Sequence, residues 1–307
     1  MLNAGRAGAG EALPVTESVN ERTHGLDVLD AQALAALFAR EQIAAAEAVA
    51  RATPAIARAI DAIAARVRAG GTLHYAGAGT SGRLAMLDAA ECPPTFGTPP
   101  GLVVAHIAGG AEALVRAVEG AEDDAEAGAA ELRACLTAND ALVGISAGGG
   151  APYVLGALAA ARAARALTIA LTSVPASPLV AAADLAIVVE TGAEPLSGST
   201  RLKAGTAAKL VLNAISTGVM VRLGRVYDNV MVDLVATNAK LRARAERLVR
   251  TVAGVDAERA RALLDAADGS VKVAIAIALR DVDAPEARAL LAASGGFLRT
   301  VIQRGGE

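Results

Sequence analysis

The feature that most constrains this chain is an alternation along its middle. Five apolar runs of strand length, at 72–76, 102–108, 141–146, 167–172 and 185–189, are each followed by polar or Gly-rich punctuation and then by a helical pattern. Strands alternating with helices at this spacing predict a parallel sheet covered on both faces. The expected fold is therefore α/β, a doubly wound parallel five-stranded sheet, with its ligand outside the carboxyl ends of the strands. Two uncharged stretches, 141–161 and 166–183, have the length of membrane spans. Gly148, Gly149, Gly150 and Pro152 interrupt the first, and Pro175 and Pro178 the second, so each reads as strand, loop and helix rather than one continuous apolar helix of about 20 residues.

The flanks are helical. Residues 1–30 read as an N-terminal arm, Gly/Ala-rich and loose over 1–12. The region 31–68 reads as one or two alanine-rich helices interrupted near Thr53-Pro54, where proline suits a first turn. A polar loop at 191–200 precedes a long helix over 201–223 and another over 228–252. Short helices at 257–267, 270–279 and 284–293 suggest a small C-terminal three-helix module. The domain division is thus 1–30, 31–250 and 251–307.

Composition excludes some functions. A net charge of −3 argues against nucleic-acid binding through bulk charge, and 2% aromatics with no Trp remove the stacking platforms used for single strands. Cys92 and Cys135 match no disulfide or metal pattern, which suggests a reducing compartment. The opening residues show no apolar run before a cleavage site, so a cytoplasmic protein is expected, with no membrane partner.

The strongest local motif is Gly77-Ala78-Gly79-Thr80-Ser81-Gly82-Arg83, directly after the first strand. It satisfies G-x-G-x-x-G, but a dinucleotide site expects an acid at the tip of the second strand. That strand ends in His106-Ile107-Ala108-Gly109-Gly110. The same backbone suits a phosphate monoester: glycines allow close approach, amides and a helix N-terminus favour the anion, and Thr80, Ser81 and Arg83 add donors. A turn without ligand is the plainer alternative. A second turn, Ser146-Ala147-Gly148-Gly149-Gly150-Ala151-Pro152-Tyr153, follows the third strand. A third segment, from Ser197 through Ser199, Thr200 and Lys203 to Thr206, is dense in hydroxyls and cations. Convergence of all three on one pocket is expected.

Carboxylates matter if protons move. Glu91 lies where Pro93 and Pro94 are expected to stop the first post-loop helix, so that it sits at a turn. Glu112, Glu119 and Glu122 read as acids of the following helix, and most such acids are simply solvated. His74 reads as a core or edge residue of a strand. His24 and His106 have no partner at metal-ligand spacing in the sequence, so no metal is expected. No G-x-S-x-G elbow is present.

The run Gly77–Arg83 continuing through Leu87-Asp88-Ala89-Ala90-Glu91-Cys92-Pro93-Pro94-Thr95-Phe96-Gly97 resembles the signature of the N-acetylmuramic acid 6-phosphate etherases. So do Ile107–Gly110, Ala117–Asp124, Gly198–Lys209, Asn229–Asp233 and Ala236–Leu241. The resemblance covers nearly the whole chain. It implies a sugar-isomerase (SIS) fold, a homodimer with a shared active site, a C-terminal module similar to ubiquitin-associated domains, and no cofactor. The implied reaction splits the D-lactyl ether of N-acetylmuramic acid 6-phosphate in cell-wall sugar recycling. Its two catalytic glutamates fall on Glu91 and Glu122. Substrate binding is implied for Gly79, Thr80, Ser81, Arg83, Ser146, Gly148, Gly149, Glu194, Ser197, Ser199, Thr200 and Lys203.

One departure stands out. The family usually carries Ser-Gly-Arg-Thr, or a near variant, where this chain has Gly148-Gly149-Gly150-Ala151. Losing two hydroxyls and a cation costs about 1 kcal/mol per lost contact, more for a charged one. The expectation is a phosphate site leaning on Thr80, Ser81 and Ser199, with weaker binding or an altered substrate. A non-catalytic sugar-phosphate sensor and an aldose–ketose isomerase on the same fold are the competing readings.

Overall fold

The computed structural model describes residues 14–234 and 239–303. The loose arm expected at 1–12, and Ala236, Thr237 and Asn238 of the signature, lie outside the described residues. The arm that is described runs through three short 3-10 turns to Asp30, whose carboxylate accepts from Ala33 N–H and caps the first long helix.

Two helices follow, α1 (Ala31–Arg51) and α2 (Thr53–Arg68), parted at Ala52 with Pro54 in the first turn of α2. Then come β1 (Leu73–Gly77), α3 (Gly79–Phe96), β2 (Val103–Ile107), α4 (Ala125–Arg133), β3 (Ala141–Ile145), α5 (Pro152–Ala163), β4 (Leu167–Thr172), α6 (Pro178–Ala182) and β5 (Leu185–Val188). All five strands pair in parallel in the order β2-β1-β3-β4-β5. The chain leaves β1 towards one edge and returns at β3 to build the other. The topological switch point therefore lies between the carboxyl ends of β1 and β3, where ligands of open α/β sheets bind.

The central strands β1, β3 and β4 are buried on both faces, as their near-continuous apolar sequences require, and the edge strands β2 and β5 are partly exposed. Leu73, Tyr75, Val143, Ile145, Ile169 and Ile187 face α1, α2 and α7 (Lys203–Arg222). Ala76, Leu142 and Ala170 face α4, α5 and α6. Among the described residues α7 alone is long and apolar enough to cross a membrane. Its residues Val211, Leu212, Ile215 and Val219 are fully buried in the first of these layers.

Beyond α7 the chain forms a hairpin of β6 (Val226–Tyr227) and β7 (Val230–Met231), then α8 (Ala239–Ala253), α9 (Ala257–Ala266), α10 (Val271–Arg280), α11 (Ala284–Ala293) and α12 (Leu298–Gln303). The helix expected over 228–252 is thus replaced at its start by the hairpin, because Asp228 takes the left-handed conformation (φ +51°) that Asp tolerates in tight turns. The three short helices expected after residue 256 are present, and α12 joins them. Residue 251 falls inside α8, whose Ala245 and Val249 share one apolar core with α9–α12 and with Val232 and Leu234.

Two further expectations change. Pro93 and Pro94 do not stop α3, which runs on to Phe96. Proline's ring holds φ near the helical value, so the last turn survives without two N–H groups. The stop is Gly97 (φ +59°), whose N–H bonds the Pro93 carbonyl at 2.9 Å. Glu91 is therefore a mid-surface helix residue rather than a turn residue. The stretch after β2 forms only single 3-10 turns, at Gly110–Leu114 and Ala121–Asp123, instead of a helix. Gly109, Gly110 and Gly120 all have positive φ there and break helical continuity.

Candidate active site

The turn after β1 depends on two glycines. A Cβ on Gly77 would lie 2.7 Å from Gly82 N, and one on Gly82 would lie 2.5 Å from Ile107 Cγ1. Their absence lets α3 start hard against the strand, with the amide groups of its first turn at the switch point. The turn after β3 is similarly tight: Gly149 (φ +71°) donates to both Ser146 O and Ser146 Oγ, each at 3.1 Å. A Cβ on Gly149 would come within 2.3 Å of Ser177.

These turns line one cleft. Gly79, Thr80 and Ser81 form one side, Ser146, Gly148 and Ala151 the other, and Thr200 closes it ahead of α7. Glu122, on its single 3-10 turn, also lines it and is the one charged side chain there among the described residues. Thus Gly79, Thr80, Ser81, Ser146, Gly148, Thr200 and Glu122 of the expected site meet in space. Gly149 shapes the second turn from beneath. Three helices, α3, α5 and α7, begin at this edge, so their positive ends favour an anion.

Other expected residues lie elsewhere. Arg83 is turned away from the cleft; its guanidinium donates to the Leu114 carbonyl at 3.3 Å and the Arg116 carbonyl at 3.0 Å, holding the segment that leads to Glu122. Glu194 is fully buried and accepts from Lys203 N–H (2.8 Å) and Ala204 N–H (2.9 Å), capping α7. Lys203 is 1% exposed, and its ammonium is taken up by Glu41 (3.0 Å) and the Ala193 carbonyl (3.0 Å). Sequence spacing alone could not separate a lysine serving the protein from one serving a ligand. Ser197 and Ser199 sit on the loop beside the cleft without lining it, and the arm braces that loop through Gly198 N–H to the Thr16 carbonyl at 3.2 Å.

Glu91 lies on α3, twelve residues beyond Gly79, about 18 Å along the helix axis at 1.5 Å per residue. It is exposed and does not line the cleft of its own chain. Three residues before it, Asp88 is buried and accepts from Tyr75 Oη (3.1 Å) and Ser216 Oγ (3.2 Å), with Lys209 Nζ at 3.5 Å. Burial pushes the Asp88 carboxyl up, opposed mainly by the Lys209 charge. This network locks the rotation of α3 against β1 and α7, and so sets the direction in which Glu91 leaves the surface. Asp88 was visible within the signature, but its tie to α7 was not.

Comparison with known proteins agrees with this architecture. Residues 55–162 match the model of the glucokinase regulatory protein N-terminal SIS domain. A phosphoheptose isomerase from Francisella tularensis superposes with a TM-score of 0.51 at 22% identity, covering 62% of this chain and 98% of that one, which shows the fold. Among curated relatives, N-acetylmuramic acid 6-phosphate etherase of Gloeobacter violaceus is 53% identical over 262 residues, 85% of this chain and 86% of that protein. The protein of the same name from Salmonella paratyphi A is 51% identical over 290 residues, 94% and 98% respectively. Identity at this level, carried across nearly the full length of both relatives, means that the chain belongs to the N-acetylmuramic acid 6-phosphate etherase family.

Proposed function

We infer that the chain is a carbon–oxygen lyase that cleaves the D-lactyl ether of N-acetylmuramic acid 6-phosphate, yielding N-acetylglucosamine 6-phosphate and D-lactate. The observation that carries this reading is the placement of Glu122 in a cleft otherwise walled by glycine amides and hydroxyls at the switch point. Amides, Thr80, Ser81, Ser146 and Thr200 suit the 6-phosphate, and a carboxylate beside them suits proton transfer on the sugar.

An alkyl ether resists direct displacement because its leaving group is an alkoxide. In the ring-opened aldehyde the C2 proton is acidic. Its removal by Glu122 lets the electron pair form the C2–C3 double bond while the C3–O bond breaks. A second acid, Glu91, protonates the departing lactate oxygen. Water then adds at C3 and a proton returns to C2, so the net change is hydrolysis of the ether. Each positioned acid or base contributes ~10²–10⁴-fold.

Glu91 serves the cleft of a second copy in this reading. It lies on an exposed stripe of α3 with Leu87, Ala90 and Pro94, at i, i+3, i+4 and i+7 spacing. Other apolar side chains are also uncovered: Val115, on the segment that leads to Glu122, is 82% exposed, and Leu196, on the loop ahead of α7, is 53% exposed. The exposed stripe of α3 around Glu91 supports a partner surface. A homodimer with two shared sites follows.

Incubation with N-acetylmuramic acid 6-phosphate should release D-lactate in stoichiometric amount with N-acetylglucosamine 6-phosphate. Binding of the sugar phosphate without lactate release would favour the sensor reading, which the cation-free Gly148–Ala151 turn supports. Interconversion of an aldose and a ketose phosphate without lactate would favour the isomerase reading.

A further inference from the structure

Under α4, apart from the cleft, the sheet carries a cluster that the lyase reaction does not use. His74 on β1 and His106 on β2 face the same side, and His74 Nδ1 is 3.1 Å from His106 Nε2. The other nitrogen of each ring has a carboxylate nearby, at hydrogen-bond distance only for His106. His106 Nδ1 is 2.9 Å from Glu131 Oε1, and His74 Nε2 is 4.0 Å from Asp140 Oδ2. Both carboxylates are held in place. Glu131 accepts from Tyr153 Oη at 2.5 Å, and Asp140 accepts from Thr72 N–H and Thr137 N–H, each at 2.6 Å.

A neutral imidazole has one N–H. Glu131 takes the His106 Nδ1 proton, so His106 Nε2 presents its lone pair to His74 Nδ1 across 3.1 Å. Either a proton on His74 Nδ1 or a cation bound by both nitrogens satisfies that lone pair. The two imidazole side chains are 4% and 8% exposed, and His74 Nε2 has no hydrogen-bond partner among the described residues. Cys135 Sγ, one helical turn beyond Glu131, completes a set whose ligand atoms all lie within 4.8 Å of one another.

We propose that His74 Nδ1, His106 Nε2 and the Cys135 thiolate form a binding site for a thiophilic divalent cation, best matched by zinc(II), with water in the fourth position. Zinc–nitrogen bonds of about 2.0–2.1 Å at the tetrahedral angle separate two imidazole nitrogens by about 3.3 Å. Imidazole and thiolate select zinc over the oxygen-seeking magnesium and calcium. The Glu131 carboxylate on the far nitrogen of His106 is the arrangement that fixes tautomer and orientation in metal sites. On binding, the Cys135 thiol releases its proton to solvent. The cation's two charges then meet one thiolate and the neighbouring Glu131 and Asp140. The site would tie α4 to β1 and β2, and α4 begins three residues after Glu122.

Cobalt(II) is the probe. The full-length protein, stripped with a chelator, is titrated with cobalt(II) and followed by absorption. One equivalent should bind per chain, giving ligand-field bands of tetrahedral intensity and a near-ultraviolet thiolate-to-cobalt band, both abolished by added zinc(II). Cys135→Ser should lose the thiolate band, whereas Cys92→Ser should keep it. Glu131→Gln should weaken binding ~10–100-fold. Cys135 is exposed, so its substitution leaves the fold intact by circular dichroism even if a histidine variant fails to fold. Absence of a thiolate band in the parent protein, or its persistence in Cys135→Ser, would overturn the proposal and leave a shared N–H···N hydrogen bond between the imidazoles.

Discussion

Among individual residues, three adjacent glycines behave differently. A Cβ on Gly148 or on Gly150 would have nothing within 4 Å, whereas Gly149 combines positive φ with Ser177 at 2.3 Å. Gly148→Ser and Gly150→Arg should therefore leave stability unchanged. Each new donor that reaches the anion should tighten N-acetylglucosamine 6-phosphate binding, by about 1 kcal/mol for the hydroxyl and about 1.5–3 kcal/mol for the guanidinium. Calorimetric titration reads both, and unchanged affinity would mean that the 6-phosphate sits away from this turn. Gly149→Ala should instead destabilise the fold by about 1–3 kcal/mol or more, read by urea unfolding. The two glutamates divide by chemistry. Substrate C2–H exchange with solvent deuterium should survive Glu91→Gln and vanish in Glu122→Gln; the opposite result would exchange their roles.

Between elements, two charged junctions hold the parts that frame the cleft. Glu41 of α1 accepts from Arg22 Nε (2.8 Å) and Asn20 Nδ2 (3.0 Å) of the arm and pairs with Lys203 at the start of α7. The Arg22 hydrogen bonds, then those of Lys203 and Asn20, hold the Glu41 carboxyl down to about 2 from an ordinary 4.5, against its burial. Because the folded value is depressed, this stabilisation is complete above pH about 4.5 and is lost as pH falls towards 2. Glu41→Gln would leave the Lys203 ammonium buried without its charge partner, at a cost of about 3–5 kcal/mol at neutral pH. In urea unfolding, the gap between parent and variant should narrow on acidification; a gap independent of pH would refute the assignment. At the other junction, Arg225 donates to the Phe96 and Gly97 carbonyls at 2.9 and 3.1 Å, at the end of the helix that carries Glu91. Asp233 lies 3.9 Å from Arg225 and also pairs with Lys272 of α10. The C-terminal helices are thereby linked to α3. Arg225→Ala should lower stability by about 1.5–3 kcal/mol and reduce kcat more than KM, since it loosens an acid rather than the phosphate turns.

For the whole molecule, the proposed roles of Glu91 and Glu122 require one substrate to meet both, although Glu91 lies about 18 Å along α3 from the Gly79 end that lines the cleft of its own chain. A shared dimer site makes a quantitative prediction. Glu91→Gln and Glu122→Gln proteins, each inactive, should regain activity when mixed under conditions of subunit exchange. Half of the dimers would be hybrids with one intact site of two, so recovery should approach about one quarter of the parent rate. No recovery despite proven exchange would place both acids in one subunit.

Strand positions, the doubly wound parallel class, the glycine turns and the family signature were all legible in the sequence, because periodicity, turn chemistry and close-packing glycines are local properties, whereas the strand order came from the tertiary structure. Bonding partners were not. Arg83, Glu194 and Lys203 sit in ligand-like sequence contexts, yet the Leu114 and Arg116 carbonyls, the α7 amides and Glu41 take up their polar groups. His74 and His106 looked solitary until parallel pairing of β1 and β2 placed them 3.1 Å apart. A residue's type and its neighbours along the chain decide which element it joins. Only packing decides which charge or lone pair it meets, because those partners come from other elements, nine residues away for Glu194 and tens or more for Arg83, Lys203 and His74.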